Sequence, residues 1–143
     1  VVKKELKNKF DIVIMAAAIS DYIPKNPSKK KIKSSKTNIS ISLKKTPKII
    51  NEIKKMQKNV LLVGFKAETN VTNTQLIKSA KKKLKESSSD IIIANDIGIS
   101  RYKKNSQNNQ IIIVDSKKNI VSGWMKKDKI AKIIRKQIES KLK

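Results

Sequence analysis

Two residue types that carry much of enzyme chemistry are missing from this chain. Its 143 residues include neither cysteine nor histidine. That excludes a thiol nucleophile, a disulfide and Cys-ligated zinc. It also excludes Ser-His-Asp chemistry and the commonest transition-metal ligand. Lysines, carboxylates and hydroxyls remain, and some of them stand where apolar runs end. Ala16-Ala17-Ala18-Ile19-Ser20-Asp21-Tyr22 leaves one run, Gly64-Phe65-Lys66-Ala67-Glu68-Thr69 leaves a second and Ala94-Asn95-Asp96 ends a third. In open α/β sheets, ligands bind at the carboxyl ends of strands, where loops turn into helices. Small residues in the first loop permit close backbone approach, and Asp21 is its first carboxylate. Gly64 lets the backbone pass close to something. An ordinary core strand with an exit loop explains the same pattern. The run Lys29-Lys30-Lys31 reads, by itself, as a solvated loop. All three glycines, Gly64, Gly98 and Gly123, are isolated, so no glycine-rich phosphate loop can be built.

These strand ends need a sheet and helices to present them. The unbroken apolar runs at 10–16, 60–65 and 90–95 have the pattern of strands buried on both faces. They are expected to be parallel and central. Residues 1–8 read as the last turns of a helix, with Val2 and Leu6 on one face. A chain opening on a helix end and a central-type strand reads as one with its beginning missing. Pro24 and Pro27 predict an irregular loop. Residues 38–44 alternate strictly, as a half-buried arm or edge strand does. Thr46 reads as an N-cap with Pro47 at N1, opening a helix that ends near Lys58. A second helix is expected over 72–86, packing Leu76, Ile77, Ala80 and Leu84 inward. Residues 97–109 read as a polar loop. Residues 110–115 and 119–122 predict a hairpin around Ser116-Lys117-Lys118 that extends the sheet antiparallel. Asp128 opens a final helix with Ile130, Ile133, Ile134 and Ile138 inward. The expected fold is one three-layer α/β domain with a mainly parallel sheet and one core.

Charge points elsewhere at first sight. The chain carries 35 basic and 11 acidic residues, a net charge of +24. Such an excess suggests a basic nucleic-acid-binding module. Yet only Arg101 and Arg135 are arginines, and arginine is the better reader of bases and phosphates. The lysines are scattered over every segment, and Lys, Ile and Asn all have A/T-rich codons. Weak, salt-sensitive sticking to RNA is expected, with no specific nucleic-acid partner. No run of about 18 apolar residues would span a membrane, and no secretory signal stands at the start. A cytoplasmic protein is the expectation.

Between the first two strand ends lie Lys31-Ile32-Lys33-Ser34 and Thr46-Pro47-Lys48-Ile49. The five segments, in this order and spacing, resemble phosphopantothenate–cysteine ligase, also called phosphopantothenoylcysteine synthetase. More closely, the chain resembles the C-terminal part of the ligase domain of the prokaryotic bifunctional coenzyme A biosynthesis protein, in its archaeal form. The resemblance covers almost all of the chain and thins in the hairpin and last helix.

The resemblance implies a Rossmann-like domain that condenses 4′-phosphopantothenate with cysteine. CTP, or ATP, is the implied co-substrate, with Mg2+ on its phosphates. It also implies a homodimer through the arm at 38–44. A separate N-terminal subunit or a decarboxylase domain would be a further partner. Lys31 matches the family's essential lysine and is the implied catalytic residue. Ala17, Ala18 and Asp21 fall where the first loop contacts nucleotide. Thr46, Pro47, Lys48 and Ile49 match a nucleotide segment that reads Asn-Pro-Asp-Ile in the family, so Thr46 and Lys48 are departures. Phe65 matches a nucleotide-contacting aromatic, and Lys83, with Lys81 as second choice, a lysine on the following helix. Asn95 and Asp96 are expected to hold loops. No residue is implied as a metal ligand. The family's glycine-rich strand–turn, and a later asparagine that handles the intermediate, have no counterpart here. A split subunit, a truncated chain and a non-catalytic nucleotide- or partner-binding remnant all fit that departure.

Overall fold

The computed structural model describes residues 1–32, 37–98 and 107–142. The chain divides into two compact units, one of residues Val1–Ala16 and Ile50–Lys143, the other Ala17–Ile49. The one-domain, one-core expectation is therefore refined: the apolar clusters all lie in the first unit.

That first unit is a layered α/β structure. Its elements are α1 (Val2–Glu5), a 3-10 turn (Leu6–Asn8), β1 (Ile12–Met15), α2 (Ile50–Met56), β4 (Leu61–Glu68), α3 (Asn73–Ser87) and β5 (Ile91–Asp96). β6 (Asn108–Asn109), β7 (Ile112–Val114), β8 (Asn119–Val121), β9 (Met125–Lys126) and α4 (Lys127–Leu142) complete it. Five strands form one sheet in the order β1-β4-β5-β7-β8. β1, β4 and β5 run parallel, and β7 and β8 extend the sheet antiparallel. Strand alternation sends Leu61, Val63, Ile91 and Ile93 to one face, where Ile130 and Ile138 of α4 cover them. Leu62, Ile92 and Ala94 face the other way, under α2 and α3. Three layers result, because apolar strands without alternation need cover on both faces.

α3 begins where its sequence says it should. Thr72 accepts the Gln75 N–H on its side chain, and the Gln75 side chain accepts the Thr72 N–H, a capping box. Such a cap contributes about 1 kcal/mol.

Several expectations are corrected. The first run makes a strand only at Ile12–Met15, and β1 lies at the sheet edge rather than its centre. Phe10 stands outside it, exposed. The helix predicted from Thr46 starts at Ile50. Thr46 is occupied elsewhere, as described below. Asn108–Asn109, read as part of a loop, pairs antiparallel with Met125–Lys126. The rest of that loop, from 99 to 106, lies outside the described residues. The close approach expected at Gly64 is met by packing: a Cβ there would meet Ile50 Cδ1 at 2.7 Å and Ile92 Cδ1 at 2.8 Å. Its missing side chain lets α2 pack down on β4.

The second unit carries β2 (Tyr22–Pro24) and β3 (Leu43–Lys45), paired antiparallel with Tyr22 opposite Lys45 and Pro24 opposite Leu43. Pro24 thus ends a short strand where a loop was expected. Only the end of the alternating run 38–44 is strand, and its apolar residues Ile39, Ile41 and Leu43 are exposed rather than half-buried.

Candidate functional site

The expected site residues fall in both units. In the second unit, the loop leaving β1 meets the segment that precedes α2. The Thr46 N–H donates to the Asp21 carbonyl at 2.9 Å, and Thr46 Oγ1 donates to the Ser20 carbonyl at 2.6 Å. Ser20 Oγ in turn donates to the Tyr22 carbonyl at 2.6 Å. These bonds satisfy backbone carbonyls that the short β2–β3 ribbon leaves open. They bring Asp21 and Thr46 together. Ala17 and Ala18 approach this clasp from one side, and Pro47, Lys48 and Ile49 leave it on the other.

Lys31 is exposed. It follows a turn in which Ser28 Oγ donates to the Lys30 carbonyl and accepts the Lys30 N–H. Its neighbours Lys30 and Ile32 line a cleft of about 460 Å3 with Pro24, Pro27, Ile39 and Ile41. Lys31 itself is not part of that lining.

In the first unit, the carboxyl edge of β4 and β5 is a tightly bonded rim. The buried Asp96 carboxylate accepts N–H groups from Asn70 at 2.9 Å, Val71 at 3.3 Å and Gly98 at 2.9 Å. The expectation that Asp96 holds loops is met. Gly98 is needed for this closure, since a Cβ there would sit 2.1 Å from Asn70 Oδ1. The Lys66 ammonium lies 2.9 Å from Glu68 Oε1, which also accepts from Ser79 Oγ on α3. The Ser79 hydroxyl, then Lys66, hold the Glu68 carboxyl below the usual range. Lys66, Glu68 and Ser79 were not singled out in the sequence. The four-residue spacing of Ser79 and Lys83 on one helix face was the available signal.

Phe65 is half-exposed on the same face as Val63, by strand alternation. Lys83 belongs to α3 on the opposite face, where its ammonium lies 3.5 Å from Asn51 Oδ1. A ligand touching both would have to reach around the carboxyl edge of β4. Lys81 is exposed on α3.

No group of three or more carboxylates that could hold a metal occurs among the described residues. Asp21 is the acid the first loop offers. Such a donor set suits an ion carried by phosphates, which keeps most of its ligands from outside the protein. A second cleft, about 570 Å3, opens at the amino edge of β4 and β5 beside Asp90, Asp115, Lys117 and Lys141. Its acids already have partners. Asp90 accepts the Leu62 N–H at 2.7 Å and pairs with Lys54 at 2.7 Å. Asp115 accepts the N–H groups of Lys117 and Lys118 and pairs with Lys141 at 3.0 Å. We read these contacts as structural.

The profile of the DNA/pantothenate metabolism flavoprotein C-terminal domain matches residues 1–142. A Coenzyme A biosynthesis bifunctional protein CoaBC from Thermococcus kodakarensis is 40% identical over 114 residues, 79% of this chain and 27% of that protein. The protein of the same name from Borreliella burgdorferi is 39% identical over 138 residues, 94% of this chain and 34% of its own length. The crystal structure of the DNA/pantothenate metabolism flavoprotein from Streptococcus pneumoniae superposes with a TM-score of 0.80 at 26% identity, over 97% of this chain and 67% of the other. The chain therefore spans about a third or less of the two curated relatives.

Proposed function

The chain belongs to the DNA/pantothenate metabolism flavoprotein C-terminal domain family, and from that membership we propose that it serves coenzyme A biosynthesis as part of a phosphopantothenate–cysteine ligase. The names of the two curated relatives support the pathway. The observation that carries the reading is the Ser20–Asp21–Thr46 clasp. Two segments that the family resemblance assigns to nucleotide, 25 residues apart at Asp21 and Thr46, are hydrogen-bonded to each other.

The proposed reaction has two steps. A carboxylate oxygen of phosphopantothenate attacks the α-phosphorus of CTP, and pyrophosphate leaves. The cysteine amine then attacks the acyl carbon, loses a proton, and CMP departs. Bringing a carboxylate onto a triphosphate concentrates negative charge, so fixed cations lower the barrier. Lys31 is the proposed catalytic cation, a point charge on a flexible stem. Within the second unit, Ala17 and Ala18 allow close approach of the base or ribose, and Asp21 and the 46–49 segment orient it; Phe65 and Lys83, in the first unit, are proposed as further nucleotide contacts. Mg2+ on the phosphates would add further charge neutralisation. Steady-state assay of the complete ligase with CTP, phosphopantothenate and cysteine tests this. Lys31→Gln is expected to lose at least about a hundredfold in turnover, with unchanged circular dichroism. Lys29→Gln is expected to stay within about twofold, as a solvated lysine should. Equal losses, or full activity in Lys31→Gln, would overturn the assignment.

A further inference from the structure

The cleft at the amino edge of β4 and β5 lies at the opposite end of these strands from the rim that Asp96 closes. Its volume of about 570 Å3 is within the range of small-molecule sites. Its walls come from the starts of β4 and β5, the β7–β8 turn and the last turn of α4. That β7–β8 turn is fixed by its own hydrogen bonds. Asp115 Oδ1 accepts the Lys117 N–H at 2.7 Å and the Lys118 N–H at 2.8 Å. The Asp115 N–H donates to the Lys118 carbonyl at 3.1 Å. Two consecutive lysines are thereby rooted at the cleft on a rigid backbone.

The charges around the cleft do not cancel. Asp90 is neutralised by Lys54 at 2.7 Å, and Asp115 by Lys141 at 3.0 Å. Neither Lys117 nor Lys118 has a carboxylate partner among the described residues, and both side chains are exposed. Two ammonium groups are left for an anion from outside, and a phosphoryl group suits such point charges. The same lining also offers acceptors. Asp90 spends Oδ2 on the Leu62 N–H and on Lys54, which leaves Oδ1. Ser140 Oγ donates to the Gln137 carbonyl at 2.8 Å, so its lone pairs are what it can offer a ligand. Groups that meet these acceptors must be donors, as hydroxyls are. A bare phosphate ion seated on the lysines would fill little of the cleft and leave those acceptors unmet. Leu61 is the one apolar residue of the lining and is only 9% exposed, so the rest of the ligand must be polar.

We propose that this cleft binds a small phosphorylated polyol of the sugar monophosphate class. Its phosphoryl group lies on Lys117 and Lys118, and its hydroxyls donate to Asp90 and Ser140. The ligand bridges the β7–β8 turn and the last turn of α4. The site shares no residue with those proposed for the ligase reaction, does not rest on that reading, and its test reads no turnover.

Glucose 6-phosphate, ribose 5-phosphate and glycerol 3-phosphate are titrated into the chain at fixed ionic strength, with glucose and inorganic phosphate as controls. Amide nitrogen–proton shifts are the readout. At least one ester should give saturable shifts centred on residues 90, 116–118 and 140–141. It should bind at least about tenfold more tightly than inorganic phosphate or glucose. Lys117→Gln combined with Lys118→Gln should weaken it by at least about tenfold. Lys78→Gln combined with Lys85→Gln makes the same charge change on the exposed face of α3, and should leave affinity within about twofold. No saturable binding of any ester overturns the proposal. So do equal losses in the two double variants, which would mean attraction by net charge alone. Inorganic phosphate binding as tightly as every ester would overturn it too, since the hydroxyls would then contribute nothing.

Discussion

Asp115 illustrates how single polar groups are placed by the fold. It is buried at the end of β7, which by itself would raise its pKa. The N–H groups of Lys118 and Lys117 and the Lys141 ammonium outweigh burial and hold the carboxyl below the usual range. The native state therefore favours the ionised form. Its contribution to stability is complete above the ordinary carboxylate value of about 3.9. It is lost as pH falls through the lowered native value. Asp115→Asn should cost about 1–3 kcal/mol at neutral pH, the cost of weakening three charge-assisted bonds. It should also flatten the acid limb of melting temperature against pH. A variant whose melting temperature falls as steeply in acid as the parent's would show that Asp115 does not supply that limb. Gly64 and Gly98 belong to the same scale. Each is a place where a Cβ would collide, with α2 and the sheet in one case and with Asn70 in the other.

Among the elements, the β2–β3 ribbon is the least ordinary. Three paired residues per strand, all exposed, cannot be held by burial. Hydrogen bonds beyond the ladder extend it at both ends: Lys25 N–H to the Ser42 carbonyl at one, Thr46 to Ser20 and Asp21 at the other. Thr46→Val removes one of these bonds and keeps the side-chain shape. We expect a local loss of about 1 kcal/mol, read as faster amide exchange at Tyr22–Pro24 and Leu43–Lys45 with no change in α3. Unchanged exchange in the ribbon would mean that its two strands hold without the clasp. Thr46 was expected to cap a helix, and local propensity supported that reading. Instead of accepting a helix N–H, the Thr46 side chain donates to the Ser20 carbonyl, and its N–H donates to the Asp21 carbonyl. A residue 25 positions away decided the matter, which no local rule can see.

For the whole molecule, charge and apolar exposure set the associations. The net charge of +24 should keep copies apart at low salt and draw in polyanions without selecting among them. Against that repulsion, the second unit exposes Ile39, Ile41, Leu43, Tyr22 and Ile23. Apolar groups so concentrated in a segment of this length usually mark a contact surface. We propose that residues 38–44 and their flanking loop join two copies of the chain. Light scattering at physiological salt should give twice the chain mass, and Ile41→Glu should halve it. The end of that run is already paired inside its own chain, at Leu43 and Lys44, so a parent that scatters as a monomer at high concentration would refute this.

The apolar runs alone determined that β1, β4 and β5 would be strands and that α3 and α4 would cover them. Unbroken Ile, Val and Leu can be buried only between two layers, whatever the rest of the chain does. The order of motifs along the chain likewise carries the resemblance to the family. Tertiary structure decided what periodicity cannot encode. A run such as Ile12–Met15 looks the same at the centre of a sheet and at its edge, because burial depends on neighbours from elsewhere in the chain. Thr46 had a local role that distant partners replaced, and the partner that Gly64 admits, Ile50 of α2, could be named only from the folded chain. Whether Phe65 and Lys83 share a face depended on strand parity and crossover handedness together. Those are properties of the assembled sheet, in which each strand's environment is set by the strands beside it.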